Sequence, residues 1–380
     1  MAETRVSSGN VETKFDSKVV HEYVRGGRFG PHTGNTPNAI IQVNNNLNKK
    51  SIPLVAKLSG DGVSGSTSLV GNEEALSDYD FTFNPTYWRN GVLIDNEENE
   101  KSAFELKKEA RPALMNWAME KKRDHIIQAM GAIEAGGTYY NYGGSQGSNG
   151  STAASAANMD TYQAANSDRI LYGAATSNLT SGDHTASLAT LDNTNDKCTA
   201  SHVELLKRLA EQADPLINPV MIKGDEPWFV FYCGSYAFRD LRSDLETKHQ
   251  NAMPRSVEGN PLWSGGDLVI DGVIIKKIPE IDTFIDGTTG TFGGVWGAGA
   301  TGDSLATGGA LGIRTAVGFL CGAQSVCFGL GRPASIKRRK EDDYEHQSGV
   351  GITMKHDIKK FFYNTKQHGI VTSFHASVAD

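Results

Sequence analysis

The pattern of apolar positions divides the chain into stretches with a clear period and stretches with none. From about Glu97 to Ile133 the pattern is helical. Leu106, Ala110, Leu114 and Trp117 recur at spacings of four, four and three, and Ile126, Ile127, Met130 and Ile133 continue an apolar face. Ser102 and Glu105 fit a capping box, Pro112 predicts a kink or break, and Gly136-Gly137 supply a stop. A helix of that length would span roughly 45 Å. A second box, Ser201 to Glu204, opens an amphipathic helix through Leu205, Leu206, Leu209 and Ala213, with Pro215 after its end.

Strand patterns follow. Trp228 to Cys233 is a short apolar run between Pro227 and Gly234 and predicts a buried strand. Asp271-Gly272 between Leu268-Val269-Ile270 and Val273-Ile274-Ile275 is a hairpin signal. Ile352, Met354, His356, Ile358, Lys360 and Phe362 share one face of a period-two run, so one long strand is expected there. A second strand is expected from Gly369 to Phe374, and the class is mixed α+β.

Three stretches lack a period. Residues 1–57 carry GGRFG, GNTPN and NNNLNKK, all turn or coil formers, and suggest an extended arm or a frayed tail. Residues 58–100 open with Gly60, Gly62, Gly65 and Gly71, and Asp80-Phe81-Thr82-Phe83 predicts a short strand, so a long loop or hairpin is expected. Residues 136–196 are rich in Gly, Ser, Asn, Thr and Ala and suggest a surface insertion with little core of its own.

Charge sharpens this division. The net charge is −7, yet residues 1–57 carry +4 and residues 58–100 carry −8. In the second stretch Asp61, Glu73, Glu74, Asp78, Asp80, Asp95, Glu97, Glu98 and Glu100 face a single base, Arg89, and no lysine. The chain is too apolar for general disorder and lacks a global basic surplus for wrapping nucleic acid. Its 42 glycines follow no Gly-X-Y period, which excludes collagen. Cys198, Cys233, Cys321 and Cys327 form no C-x-x-C, so neither a zinc ribbon nor a redox motif is offered, and a reducing setting is expected. The first residues have no apolar core of a signal peptide, and Leu305 to Leu330 is interrupted by Arg314, Gln324 and glycines, so no membrane span is expected.

Catalytic patterns are weak. Gly297 to Gly302 matches G-x-G-x-x-G without a strand before it or a helix after it. Gly143 to Gly147 matches G-x-S-x-G around Ser145 inside low-complexity sequence. The ten histidines are scattered, and His356 on a strand is expected to be structural or solvated rather than a ligand. No catalytic residue, cofactor or metal site is therefore assigned. Lys337-Arg338-Arg339-Lys340 before Glu341-Asp342-Asp343 suggests a nucleic-acid patch or localisation signal or, because the acids cancel its field, a solvated or interface-pairing segment.

Several ordered stretches resemble one family. They are Pro53 to Val63, Leu69 to Leu76, Ala110 to Trp117, Asn260 to Trp263 with Asp271 to Ile275, Ala310 to Gly312 with Gly322 to Gln324, and Gly351 to Val371. In this order they resemble the major capsid proteins of tailed bacteriophages with the Hong Kong 97-type fold, more narrowly the N4-type podovirus branch. The resemblance implies an N-terminal arm (1–57), an extended loop (58–96) and a peripheral domain (97–200) with a spine helix (97–135) and the insertion (136–196). It further implies an axial domain (201–335), a return strand of the peripheral domain (336–364) and a final axial strand (365–380).

The implied function is self-assembly through hexamers and pentamers into the icosahedral head enclosing double-stranded DNA. A nanocompartment shell of the same fold and another virion component are the alternatives, with a hydrolase using the weak glycine motifs as a reading from a different class. Assembly is expected in host cytoplasm, with the virion as destination. Expected partners are further copies, a separate scaffolding protein, portal and decoration proteins, and packaged DNA held without sequence preference; no membrane is expected. Some relatives weld neighbouring subunits through a loop lysine, which the lysine-free stretch 58–100 excludes here. The candidate inter-subunit contacts are the loop residues Asp61, Glu73, Glu74, Asp78, Asp80 and Arg89, with Arg25, Arg28, Lys49, Lys50, Lys107 and Lys108 as basic counterparts on a neighbour. The alternative is that the acids only keep the loop soluble.

Overall fold

A computed structural model describes residues 28–33, 40–43, 50–58, 60–102, 105–140, 155–223, 225–252, 268–285, 315–339 and 347–377. The chain divides into two units, one of residues 1–26, 87–121 and 333–355, the other of residues 27–86, 122–332 and 356–380.

The second unit holds most of the core. Its main sheet has the order β10-β11-β9-β12-β17-β7: Leu268–Ile270, Val273–Lys277, Glu226–Cys233, Thr315–Cys321, Ile370–Ala376 and Ile170–Tyr172. β8 (Met221–Lys223) pairs with β9 off this path. β9 runs parallel to β11, β17 runs parallel to β7, and β12 is antiparallel to both β9 and β17. The apolar run from Phe229 to Cys233 is buried, as expected for a strand covered on both faces. The β10–β11 hairpin turns at Asp271 (φ 44°) and Gly272 (φ 73°), the two left-handed positions a two-residue turn of this kind requires. α6 (Ala200–Gln212) lays Val203, Leu206 and Ala210 against this sheet. Its cap is Thr199, whose side chain accepts from His202 N, so the expected box at Ser201–Glu204 is displaced by two residues.

Residues 155–196 correct the expectation of a coreless insertion. α4 (Ala156–Ala165), β7 and α5 (His184–Ala189) bury Met159, Tyr162, Ile170, Tyr172, Leu188 and Leu191 in the main cluster. Few apolar residues suffice because most of the buried polar groups are paired, Gln163 Oε1 being an exception among the described residues. Gln163 Nε2 donates to Ser187 Oγ (2.7 Å), Tyr162 Oη to Gln367 Oε1 (2.6 Å), and Gln367 N to Asn166 Oδ1 (2.7 Å). Arg169, fully buried, donates to the carbonyls of Gln367, His368 and Pro215 and pairs with Asp168.

A second, four-stranded sheet has the order β1-β13-β14-β4, with Ile40–Val43, Val326–Arg338, Gln347–Lys360 and Thr86–Asp95; β1 and the residues of β13 it pairs with (327–330) belong to the second unit, and residues 87–95, 333–338 and 347–355 to the first. The expected long strand after residue 347 is β14. The expected continuous helix is two helices, α2 (Asn96–Lys101) and α3 (Leu106–Met130). Asp95 caps α2 by accepting from Glu97 N, Ser102 closes its C-terminal end, and Asn99 Oδ1 accepts from Leu106 N where α3 begins. Ser102 is thus a terminator, not the start of a capping box. α3 continues through Pro112 without a break. Packing of Leu114 and Ala118 with Val350, Ile352 and Met354 holds that segment helical despite the missing N–H. Gly136 and Gly137, both at positive φ, do not stop the helix. They turn the hairpin between β5 (Ile133–Ala135) and β6 (Thr138–Tyr140).

Candidate functional site

The acidic stretch begins on a two-stranded ribbon. β2 (Lys50–Val55) pairs antiparallel with β3 (Asp78–Phe83), in a register that sets Pro53 opposite Asp80. Its base is anchored. Phe81 is buried with its ring 4.6 Å from that of Phe361, Asp357 Oδ2 accepts from Asn84 N at 2.9 Å, and Lys359 Nζ donates to Thr82 O at 3.2 Å. Between the strands, residues 57, 58 and 60–77 are exposed.

The loop is shaped by its own side chains. Glu74 Oε2 accepts from Gly60 N and Glu73 Oε2 from Gly71 N, both at 2.7 Å. Asn72 Nδ2 donates to Ser68 O, and Gly71 stands at φ 90°, where a Cβ would be strained. Asp80 Oδ2 accepts from Ser51 Oγ at 3.1 Å. Among the described residues, Asp61 and Asp78 have no such partner. Large apolar side chains also face solvent, with Leu69 57% and Val70 83% exposed. A surface that combines unpaired carboxylates with exposed apolar groups is suited to contact with another molecule.

The sequence-derived basic counterparts are scattered. Arg25 and Lys49 lie outside the described residues, and Lys50 lies in β2 with its side chain outside them. Arg28 is exposed beside the buried Phe29. Lys107 Nζ donates to Asn96 Oδ1 at 3.2 Å, and Lys108 is exposed on α3. Arg89 stands on β4 and belongs to the first unit, whereas the five candidate acids belong to the second.

The structure groups Arg89 instead with Lys337, Arg338 and Arg339, around a concavity of about 410 Å³ floored by Gly91, Gly349 and Gly351. The sequence signal for it was the basic run at 337–340, of which Lys340 and the following acids Glu341, Asp342 and Asp343 lie outside the described residues.

Buried histidines form the other polar feature. His356 Nε2 lies 2.9 Å from His125 Nδ1, and burial, with Lys122 nearby, pushes its pKa down to about 4. His202 accepts at Nε2 from Ser373 Oγ (2.6 Å) while its Nδ1 faces Gly173 O (2.8 Å), and burial lowers it to about 4. Both are packing groups, as expected for His356. No group of three or more His, Cys, Asp or Glu suited to a metal occurs among the described residues. No described helix is long and apolar enough to cross a membrane. The motifs at Gly297–Gly302 and Gly143–Gly147 lie outside the described residues.

Comparison with known proteins gives this surface its context. The capsid asymmetric unit of cyanophage Pam1 is 31% identical and superposes with a TM-score of 0.84, with the whole of both chains covered. The capsid of Ralstonia phage GP4 is 18% identical with a TM-score of 0.64, covering 100% of this chain and 99% of that one, a likeness of fold. The major capsid protein of Pseudomonas phage KPP25 is 24% identical over 346 residues, 86% of this chain and 83% of the relative. These relatives favour a virion shell over a nanocompartment and carry the Hong Kong 97-type fold expected from the sequence. Residues 3–379 match the family described as phage capsid protein. The chain therefore belongs to the phage capsid protein family, as a major capsid protein of a phage.

Proposed function

We propose that copies of this chain assemble through hexamers and pentamers into a closed icosahedral shell around the double-stranded DNA of a tailed phage. The observation that carries this reading is the full-length likeness to the Pam1 capsid subunit. On this reading residues 58–96 form the extended loop, α3 is the spine helix and the seven-stranded sheet belongs to the axial domain. The narrower placement in the N4-type branch rests on the ordered sequence stretches alone. Assembly in host cytoplasm, with a separate scaffolding protein and with portal and decoration proteins, belongs to the same proposal.

A shell subunit needs repeated contacts that close into rings, each of which can be weak because many act together. The exposed loop, with its carboxylates and apolar tip, supports a role at such contacts. Its lack of lysine leaves those contacts noncovalent from this loop. The test is expression of the chain alone and with the phage's other head proteins, followed by sedimentation and negative-stain microscopy. Closed shells or capsomer rings are expected. A strictly monomeric species under every condition would overturn the reading.

A further inference from the structure

The chain contains two Asn-Gly pairs, Asn90-Gly91 and Asn149-Gly150, and the second lies outside the described residues. Asn90 and Gly91 stand midway along β4, the edge strand of its sheet, and both are exposed. Gly91 N donates to Asn90 Oδ1 at 2.8 Å, which holds the side-chain amide beside the next backbone nitrogen. With no side chain at 91, nothing on that residue shields the nitrogen or hinders the backbone rotation that brings it onto Asn90 Cγ. The surroundings add a field. Arg89, Lys337, Arg338 and Arg339 line the same concavity as this pair, with no acidic residue in the lining. Positive charge there stabilises an anion as it forms on the Gly91 nitrogen or on the attacked carboxamide oxygen.

We propose that Asn90-Gly91 is a site of spontaneous deamidation. The Gly91 nitrogen gives its proton to hydroxide and attacks Asn90 Cγ, forming a new C–N bond. The bond from Cγ to Nδ2 breaks, that nitrogen takes up a proton and leaves as ammonia, and a cyclic succinimide remains. Water then adds to one of the imide carbonyls and breaks its bond to nitrogen. Opening at the former side-chain carbonyl gives aspartate, and opening at the main-chain carbonyl gives isoaspartate. Overall one water is consumed and one ammonia released, with no oxidation or reduction. Either product puts a carboxylate among the cations of the concavity. Isoaspartate also adds a carbon to the main chain, which shifts the phase of residues 91–95 against β14. Asn166, which precedes the small residue Ser167, shows the opposite arrangement. It is fully buried, its Nδ2 donates to the carbonyls of Tyr162 and Thr365, and its Oδ1 accepts from Gln367 N, so its amide is held away from the next nitrogen. The reactivity of Asn90 therefore rests on its placement as well as on the pair itself.

The experiment incubates the full chain at mildly alkaline pH in heavy-oxygen water and maps its peptides by mass spectrometry, with the chain unfolded in urea as the reference. The peptide holding Asn90 is expected to gain the mass of amide-to-acid exchange plus the heavy oxygen, with aspartate and isoaspartate forms that separate on chromatography. The peptide holding Asn166 is expected to change only in urea. G91A is expected to slow the gain at Asn90 by roughly tenfold or more. A Cβ at 91 would meet Val350 O at 3.5 Å and Gly351 Cα at 3.6 Å, both ordinary contacts, so this variant keeps the fold, which circular dichroism checks. K337Q/R338Q is expected to slow the gain by roughly twofold to fivefold, and added salt to shrink that difference. An Asn90 peptide that keeps its amide in the folded chain over the time in which urea-unfolded chain loses it would overturn the proposal. So would equal rates in wild type and G91A, or a gain at Asn166 as fast as at Asn90, which would mean that opening of the fold sets the rate. An unchanged rate in K337Q/R338Q would overturn the part given to the cations.

Discussion

The loop at residues 57–77 and the segment 155–196 have similar compositions and opposite fates. Both are rich in small polar residues, with glycine frequent only in the loop, and neither shows a hydrophobic period. In the loop, even Leu69, Val70 and Leu76 face solvent. In the later segment, Gln163, Asn166, Arg169, Asp196 and Ser187 are buried beside Tyr162 and Tyr172. The difference lies in where each polar group finds its partner. Loop carboxylates reach backbone N–H groups two to 14 residues away, while Tyr162, Asn166 and Arg169 reach across 198 to 205 positions of sequence to Gln367, and Gln163, Ser187 and Asp196 bond to other residues of their own segment. Polar residues can therefore build a core when distant strands complete their hydrogen bonds, and they build a contact surface when nothing in the subunit does.

This contrast can be broken at its strongest point first. Replacing Arg169 by Leu leaves the buried carbonyl of Gln367 and the part-buried carbonyls of His368 and Pro215 without this donor, and leaves Asp168 with Lys366 at 3.8 Å as its cation. A loss of about 3–5 kcal/mol in unfolding free energy is expected by urea titration. A loss below about 1 kcal/mol would show that the buried network adds little beyond packing.

Acidification acts on the same core. Burial lowers His32, His202 and His356 to about 4 and His375 to about 3, with His202 adding to the last. In the window between these values and the ordinary histidine value near 6.5, the unfolded chain binds more protons than the folded one. Stability is therefore complete above pH ~6.5 and falls as pH drops toward ~4, by on the order of 3 kcal/mol for each such ring. Unfolding measured from pH 7 to 4 should show this slope, and H356N should flatten part of it. A pH-independent midpoint would contradict the assignment of these rings as buried and neutral.

Removing one hydroxyl should cost less. Tyr162→Phe leaves Gln367 Oε1 without its 2.6 Å donor and takes a neighbour from the fully buried Lys360. A loss of about 1–3 kcal/mol is expected, read from the same titration. The smallest effect on folding is expected in the loop. E73A/E74A removes the acceptors for Gly71 N and Gly60 N at an exposed site, so unfolding should shift by no more than about 0.5 kcal/mol. Shell yield from that variant should nevertheless fall, since a loop without its shape presents its charges poorly. Normal yield would remove Glu73 and Glu74 from the account of assembly.

Much of the fold was legible from local rules. Pro227 and Gly234 bracket β9, Asp271-Gly272 turns a hairpin, and alternation marks β14. The burial of α4, β7 and α5 was not legible, because it depends on partners such as Gln367 and Phe374 that lie far along the chain. The gap between α2 and α3 was hidden for a related reason: Asn99 accepting from Leu106 N is a side-chain choice that no hydrophobic period reports. For the candidate site, the acids were visible as a run. The basic concavity was not, since Arg89 and Lys337 to Arg339 are brought together only by the order of strands across about 250 residues.

The most direct test compares the salt dependence of two properties of the wild-type chain between ~0.05 and ~0.5 M. Exposed pairs between copies are screened over that range, whereas the buried bonds within a copy are screened far less. Shell yield is expected to fall with salt while the midpoint of subunit unfolding stays nearly constant. A flat shell yield, or a midpoint that falls in step with it, would contradict the division between groups that hold the subunit and groups that hold its neighbours.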